Sequence, residues 1–194
     1  MNQLDVLAIG NLVRDENGEI LEANSTSTLI RADGRLIVVD TSSREMRPAI
    51  KMAFRQIGVF MKDVDTVVLT HWHPDHTSNN DLFPNAKILI HSGEDEPFPG
   101  AEVIEGDLSL AKGIELRHTP GHSWDSMSVF VQGEDRKYVI AGDAVPLEDN
   151  IRKNVPPGLH VCKDLAMKSI KTISDYADVI VPGHGAPFQT RSRR

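Results

Sequence analysis

Cysteine is almost missing from this chain: Cys162 stands alone among 194 residues, so no internal disulfide can form. No neighbouring motif activates it, and its isolation fits a reducing compartment. Long apolar runs are missing too. None approaches the ~18 residues that a membrane span requires, so no membrane association is expected. The opening Met1-Asn2-Gln3-Leu4-Asp5 lacks the basic and apolar regions of a secretory signal, which makes the cytoplasm the expected location. Basic charge is in deficit, with 21 Lys and Arg against 28 Asp and Glu and a net charge of −7. That balance, with no basic stripe, counts against an electrostatic nucleic-acid binder. The ending Arg191-Ser192-Arg193-Arg194 is short and reads as a frayed terminus rather than an RNA-gripping arm. Repeats, low-complexity tracts and linkers are also absent. Residues 1–194 therefore read as one domain.

What is present alternates strand and helix signals. Leu4 to Ile9, Thr26 to Arg31 and Leu36 to Val39 read as strands, with Asp33-Gly34 as a hairpin turn. Asp40 to Ser43 closes the third strand and can cap a helix from about Arg44 to Ile57, which Gly58 stops. Met46, Ile50, Ala53, Phe54 and Ile57 recur at helical spacing along it. Further strands are expected at 64–69, 87–90, 114–117, 127–131, 138–141 and 179–181, and a second helix at 164–176. Such strand runs interspersed with helices suggest two sheets covered by helices. The stretch 146–161, rich in proline, has no clear periodicity and reads as a functional loop.

The densest chemistry lies at Leu69-Thr70-His71-Trp72-His73-Pro74-Asp75-His76, three imidazoles and a carboxylate directly after a strand. Neutral imidazole is the commonest metal-ligating side chain, and carboxylate adds charge that holds a dication. Four donors exceed what one half-open catalytic ion takes from so short a segment, which points to two metals. Three later turns repeat the pattern of strand, glycine and donor: Pro120-Gly121-His122, Ala141-Gly142-Asp143 and Pro182-Gly183-His184. Glycine permits backbone conformations and approaches that bulkier residues resist. The candidate donors are thus His71, His73, Asp75, His76, His122, Asp143 and His184.

In this combination of motifs the chain resembles the metallo-β-lactamase superfamily, from the Asp40 turn through Gly183-His184-Gly185. The resemblance implies an α+β fold, the four-layer αββα sandwich, with the site at one edge between the sheets. It implies that His71, His73 and His122 bind one metal, that Asp75, His76 and His184 bind a second, and that Asp143 bridges them. Two dications, zinc foremost with iron or manganese as alternatives, would then share a hydroxide and polarise a carbonyl or phosphoryl oxygen. Asp75 would orient that hydroxide and take up a proton, the one catalytic role assigned to a side chain.

Departures and absences narrow the reading. Thr77-Ser78-Asn79 follows Asp75-His76 where many members read Asp-His-x-x-Gly, and Asp40-Thr41-Ser42 replaces the common Asp-x-Gly. Both alter loop shape without removing a donor. Secreted antibiotic-hydrolysing members carry export signals and commonly a cysteine at the position of Asp143, so antibiotic hydrolysis is not expected here. Ten residues follow His184, too few for the glutathione-binding helical extension of glyoxalase II members. An inserted nuclease domain does not fit either. The layout is most similar to short, single-domain members, including ones linked to RNA processing.

The leading expectation is a hydrolase acting on an ester, thioester or lactone of a small molecule. Alternatives are a phosphodiesterase or ribonuclease, a mononuclear iron persulfide dioxygenase using only His71, His122 and Asp143, and a metal-binding module without activity. Trp124 and His160 are weak candidates for substrate contact. Trp72 reads as packing; His91 and His118 read as structural, with an orienting role for His118 as the minority reading. Substrate identity is expected to lie in the loops at 94–100 and 146–161.

Overall fold

The computed structural model describes residues 1–92 and 100–190. Of the loop at 94–100 only Gly100 is among them, and the basic ending 191–194 lies outside them. The elements in chain order are β1 (Gln3–Ala8), β2 (Asn11–Arg14), β3 (Ile20–Asn24), β4 (Ser27–Ala32), β5 (Arg35–Val39), α1 (Arg47–Gln56) and β6 (Thr66–Val68). There follow α2 (Pro74–Thr77), β7 (Lys87–His91), β8 (Glu102–Ile104), β9 (Leu108–Ala111), β10 (Ile114–His118), β11 (Met127–Gln132) and β12 (Lys137–Gly142). The last are α3 (Glu148–Arg152), α4 (Lys163–Tyr176), β13 (Val179–Pro182) and β14 (Phe188–Gln189).

Two six-stranded sheets carry the fold, one ordered β1-β4-β5-β6-β7-β8 and the other β14-β13-β12-β11-β10-β9. Three apolar layers explain why they stack. Between the sheets, Ile30, Ile37, Val39, Val68 and Leu89 of the first meet Ile114, Leu116, Met127, Val129 and Ile140 of the second. On the outer face of the first sheet, Ile50 and Phe54 of α1 pack with Leu29, Val38, Val67 and Ile90. On the outer face of the second, Ile170 and Ile173 of α4 pack with Phe130, Val139 and Ile180. Each central strand thus has apolar side chains on both faces, as sandwiched strands require. The result is the expected αββα order of layers.

Topology decides where the loops emerge. β5, β6, β7 and β8 run parallel, so the chain leaves each of them at one edge. In the second sheet β12 and β13 are parallel, and β10 runs the same way because two antiparallel steps through β11 restore direction. Asp40, His71–His76, His122, Asp143 and His184 all follow strands of this set. Crevices outside the carboxyl ends of such strands are where α/β proteins place ligands.

The hairpin at Asp33-Gly34 has both residues at positive φ, 49° and 80°, as a two-residue turn of that hand demands. Elsewhere the elements differ from expectation. The first helix opens as a single tight turn at Arg44–Met46 and becomes α-helical only at Arg47, with Pro48 in its first turn, where the missing N–H costs nothing. Residues 15–18 form the tip of a separate hairpin, β2 with β3. Within 146–161, α3 forms a short turn of helix. β8, β9 and β14 were unforeseen, being short and largely exposed. Among the described residues no helix is long and apolar enough to cross a membrane.

The layering assigns unequal weights to two phenylalanines. Phe54→Ala should cost about 3–5 kcal/mol, read as a lower urea midpoint at unchanged m. Phe60→Ala, at a residue 68% exposed, should cost under about 0.5 kcal/mol. Equal costs would contradict the placement of α1 on the first sheet.

Candidate metal centre

β6 ends at Val68, and Leu69 and Thr70 carry the chain to the sheet edge; Pro74 then starts α2, which turns Asp75 and His76 back over it. The loop is held from below by Asp40. Its Oδ1 accepts the Thr70 N–H and its Oδ2 the Thr70 hydroxyl, each at 2.8 Å. Asp40 is buried, with φ of 53°, a left-handed conformation that aspartate tolerates better than most residues. Its expected helix-capping role is not seen, since no side chain caps the turn at 44.

Four of the five histidines are pinned through one ring nitrogen, which dictates what the other presents. Thr70 spends its hydroxyl proton on Asp40, so its oxygen accepts from His71 Nδ1 at 3.1 Å. His76 Nδ1 donates to Asp40 Oδ2 at 2.8 Å, His122 Nδ1 to the Leu159 carbonyl at 2.9 Å, and His184 Nδ1 to the Asn24 carbonyl at 2.9 Å. Each therefore turns Nε2 toward the common centre, the arrangement that outer partners impose on metal-binding imidazoles. His73 instead offers Nδ1, 2.9 Å from His71 Nε2 and 3.1 Å from His122 Nε2.

The donors fall into two groups whose ligand atoms lie within 4.8 Å of one another: His71, His73, His122 and Asp143, and Asp75, His76 and His184. Asp143 faces both. Its Oδ2 is 3.5 Å from His122 Nε2 and 3.3 Å from His184 Nε2, while its Oδ1 is 3.2 Å from His184 Nε2 and 3.4 Å from His76 Nε2. Asp75, half-buried, places Oδ2 3.6 Å from His184 Nε2.

Do these residues fit a metal? His76 Nε2 and Asp143 Oδ1 are buried with no hydrogen-bond partner, a costly condition unless a ligand satisfies them. Three imidazole nitrogens converge where direct hydrogen bonds cannot serve all of them. The set of imidazole and carboxylate is what zinc, iron and manganese accept. The residues fit.

Charge reinforces this. Burial pushes the His71 pKa well down, helped by the charge of His76, and burial likewise lowers that of His73. Burial opposes charge on His76 as well, yet Asp40 and Asp143 outweigh it and hold its pKa well above the usual imidazole value. His184 is raised despite burial by its bond to Asp143. Asp143 resists its own burial and stays well below the usual carboxylate range because His76 and His184 face it. The central carboxylate thus favours the protonated forms of His76 and His184.

Glycine is required beside the central carboxylate. A Cβ on Gly183 would lie 2.1 Å from Asp143 Oδ1, so any side chain there displaces that carboxylate.

A cleft of about 420 Å³ opens from this floor. His73, Asp75, His122, Asp143 and His184 form its base; Leu12, Ile20, Leu147, Val155 and Leu159 line its walls, and Arg14 joins them from the end of β2. Trp124 is 59% exposed and is not part of this lining. His160 is exposed and bonded to the Pro157 carbonyl. Trp72 packs in the layer under α1. Ser123 bonds to Ser126 within its turn.

A third group, His91, His118 and Asp125, lies close by. The two rings stack at 4.5 Å and 5°, so their in-plane lone pairs do not converge. Gly106 N–H donates to His91 Nε2, which leaves the His91 proton on Nδ1 beside Asp125 Oδ1 at 3.0 Å. This is a polar tie between β7 and β10.

Two expectations follow. Asp40→Asn cannot match the acceptors that Thr70 and His76 require, and metal affinity should fall roughly 10–100-fold with secondary structure retained by circular dichroism. Because His76 and His184 keep protons above the usual imidazole range, metal uptake at neutral pH must release protons, and affinity must weaken as pH falls. Calorimetry in buffers of different ionisation enthalpy reads that release; heats independent of the buffer would contradict it.

The metallo-beta-lactamase superfamily model matches residues 21–96. A "probable metallo-hydrolase" of Methanocaldococcus jannaschii is 37% identical over 93% of this chain and 86% of its own length. The Xenopus laevis "metallo-beta-lactamase domain-containing protein 1" is 31% identical over 91% of this chain and 77% of its own length. An "N-acyl homoserine lactonase" of Bacillus thuringiensis is 28% identical over 62% of the chain. The crystal structure of a quorum-quenching N-acyl homoserine lactone hydrolase superposes with a TM-score of 0.76, covering 93% of this chain and 91% of that one at 22% identity, a likeness of fold. With its layers, its converging donors and an archaeal relative matched over nearly its full length, the chain belongs to the metallo-beta-lactamase superfamily of metal-dependent hydrolases.

Proposed function

We propose that the protein is a dinuclear metal hydrolase that cleaves an ester, thioester or lactone of a small molecule. One observation carries the two-metal reading: Asp143 turns Oδ2 to His122 and Oδ1 to His76, with His184 Nε2 3.2 and 3.3 Å from the two oxygens. His71, His73 and His122 would hold the first ion, Asp75, His76 and His184 the second, with Asp143 shared and zinc the leading candidate. When bound, such a pair supplies a water ionised near neutral pH and a Lewis acid for the carbonyl oxygen.

The chain's own residues do the rest. Asp75 Oδ2 accepts the proton of the attacking water and returns it to the departing oxygen or sulfur, as a carboxylate within hydrogen-bond reach can. Asp40, Asn24 and Leu159 keep the imidazoles aimed, so orientation is set before substrate arrives. The cleft walls of leucine, isoleucine, valine and proline exclude water and suit an acyl body. Among the described residues they lack the aromatic platforms and cationic track that a single-stranded nucleic acid needs. The lactonase name among the relatives supports the same substrate class.

Protein stripped and reloaded with zinc, iron or manganese should bind about two ions per chain and hydrolyse acyl lactones or thioesters. Asp75→Asn should lower kcat/KM by about 10²–10⁴-fold with the fold intact. Cleavage of single-stranded RNA or bis(p-nitrophenyl) phosphate with lactones and thioesters untouched would overturn the substrate class. One iron per chain with oxygen uptake on a persulfide would overturn the mechanism.

A further inference from the structure

The cleft carries one charge that the hydrolytic reading leaves unused. Asp75 and Asp143 belong to its floor, and Asp149 is paired with Lys153 at 2.7 Å. Arg14 is the cation in the lining, and among the described residues it forms no ion pair. Its neighbour Asp15 makes no ion pair with it and turns Oδ1 to the N–H groups of Asn17 and Glu19 at 2.9 and 2.8 Å. The guanidinium is nevertheless held, since Nη1 donates to the Gly18 carbonyl at 2.7 Å. Gly158, also in the lining, lies beside the fork: a Cβ there would touch Arg14 Nη2 at 3.4 Å, an ordinary van der Waals contact. Arg14 is exposed, whereas His122, Asp143 and His184 of the floor are buried, with Asp75 half-buried and His73 exposed beside them, so Arg14 stands on the solvent side of the cleft and the buried donors on its inner side. Apolar walls separate the two.

A guanidinium held by one bond, without a counter-ion, is poised for bidentate capture of a carboxylate or phosphate. In a chain of net charge −7, a lone unmatched cation at the mouth of the cleft is a selective feature. We infer that Arg14 determines specificity, and that the preferred substrate is an acyl compound whose apolar body ends in an anionic group, carboxylate or phosphate, away from the bond that is cut. This rests on the hydrolase reading for the bond cut, and on the cleft alone for the anion.

The test uses three matched aryl thioesters of equal acyl length, ending in methyl, carboxylate or phosphate, and their non-hydrolysable methylene ketone analogues. By calorimetry on the metal-loaded protein, the anionic ketones should bind at least about tenfold tighter than the neutral one, a usual gain for a charge-assisted pair. The carboxylate and phosphate arms show which anion is preferred. R14Q should bring the three affinities within about twofold, R14K should keep part of the preference, and 0.5 M salt should shrink it in the wild type, as screening requires. For the thioesters the loss should appear in KM, with kcat on the neutral substrate unchanged. A wild-type protein with no preference, with no binding of any ketone, or whose preference survives R14Q would overturn the inference. Tight, Arg14-dependent ketone binding without hydrolysis of any thioester would instead sink the hydrolase reading and leave the anion site standing.

Discussion

Seven donor groups face one another in a place where water cannot solvate them all, and the rest of the molecule is arranged around that conflict. His71 and His76 are fully buried and His122, Asp143 and His184 nearly so. Taking such groups from water is expensive unless they are paired or bound to a cation. Proton affinities follow the same balance: Asp143 raises those of His76 and His184, while burial lowers those of His71 and His73. A pair of dications would satisfy the whole set at once.

Holding that conflict in place takes a rigid frame. Parallel strands in one sheet and the β10, β12, β13 set in the other deliver every donor loop to one edge. Asp40 then ties the β5 exit to the β6 exit through Thr70 and His76. Asn24 and Leu159 supply carbonyls from the second hairpin and the loop before α4, so the walls of the cleft also orient its floor. Function and frame thus share contacts, and Gly183 is where they meet most tightly: space for Asp143 exists only because that residue has no side chain.

Much of this was legible in the residues. Alternating and continuous apolar runs located the central strands because sandwiched strands have one simple pattern. The donors stood out because histidine is rare and strand-glycine-donor turns repeat. What escaped had no such mark. The β2–β3 hairpin is polar and half-exposed, so its Leu12, Arg14 and Ile20 gave no sign that they wall a cleft. Leu159 and Asn24 act through backbone carbonyls, which any residue could supply. Asp40 was visible as a strand-ending residue, part of a possible helix cap and of the family's turn; its grip on Thr70 and His76 depends on two parallel strands lying side by side. His91, His118 and Asp125 offered donor types without convergence, a distinction that needs ring geometry.

The central claim is two cations on one shared carboxylate, and anomalous diffraction from zinc-loaded crystals, collected on both sides of the zinc edge, addresses it directly. The proposed centre predicts two peaks: one among His71, His73 and His122, the other among Asp75, His76 and His184, with Asp143 reaching both. A single peak, or a peak between His91 and His118 with the Asp143 region empty, would contradict it.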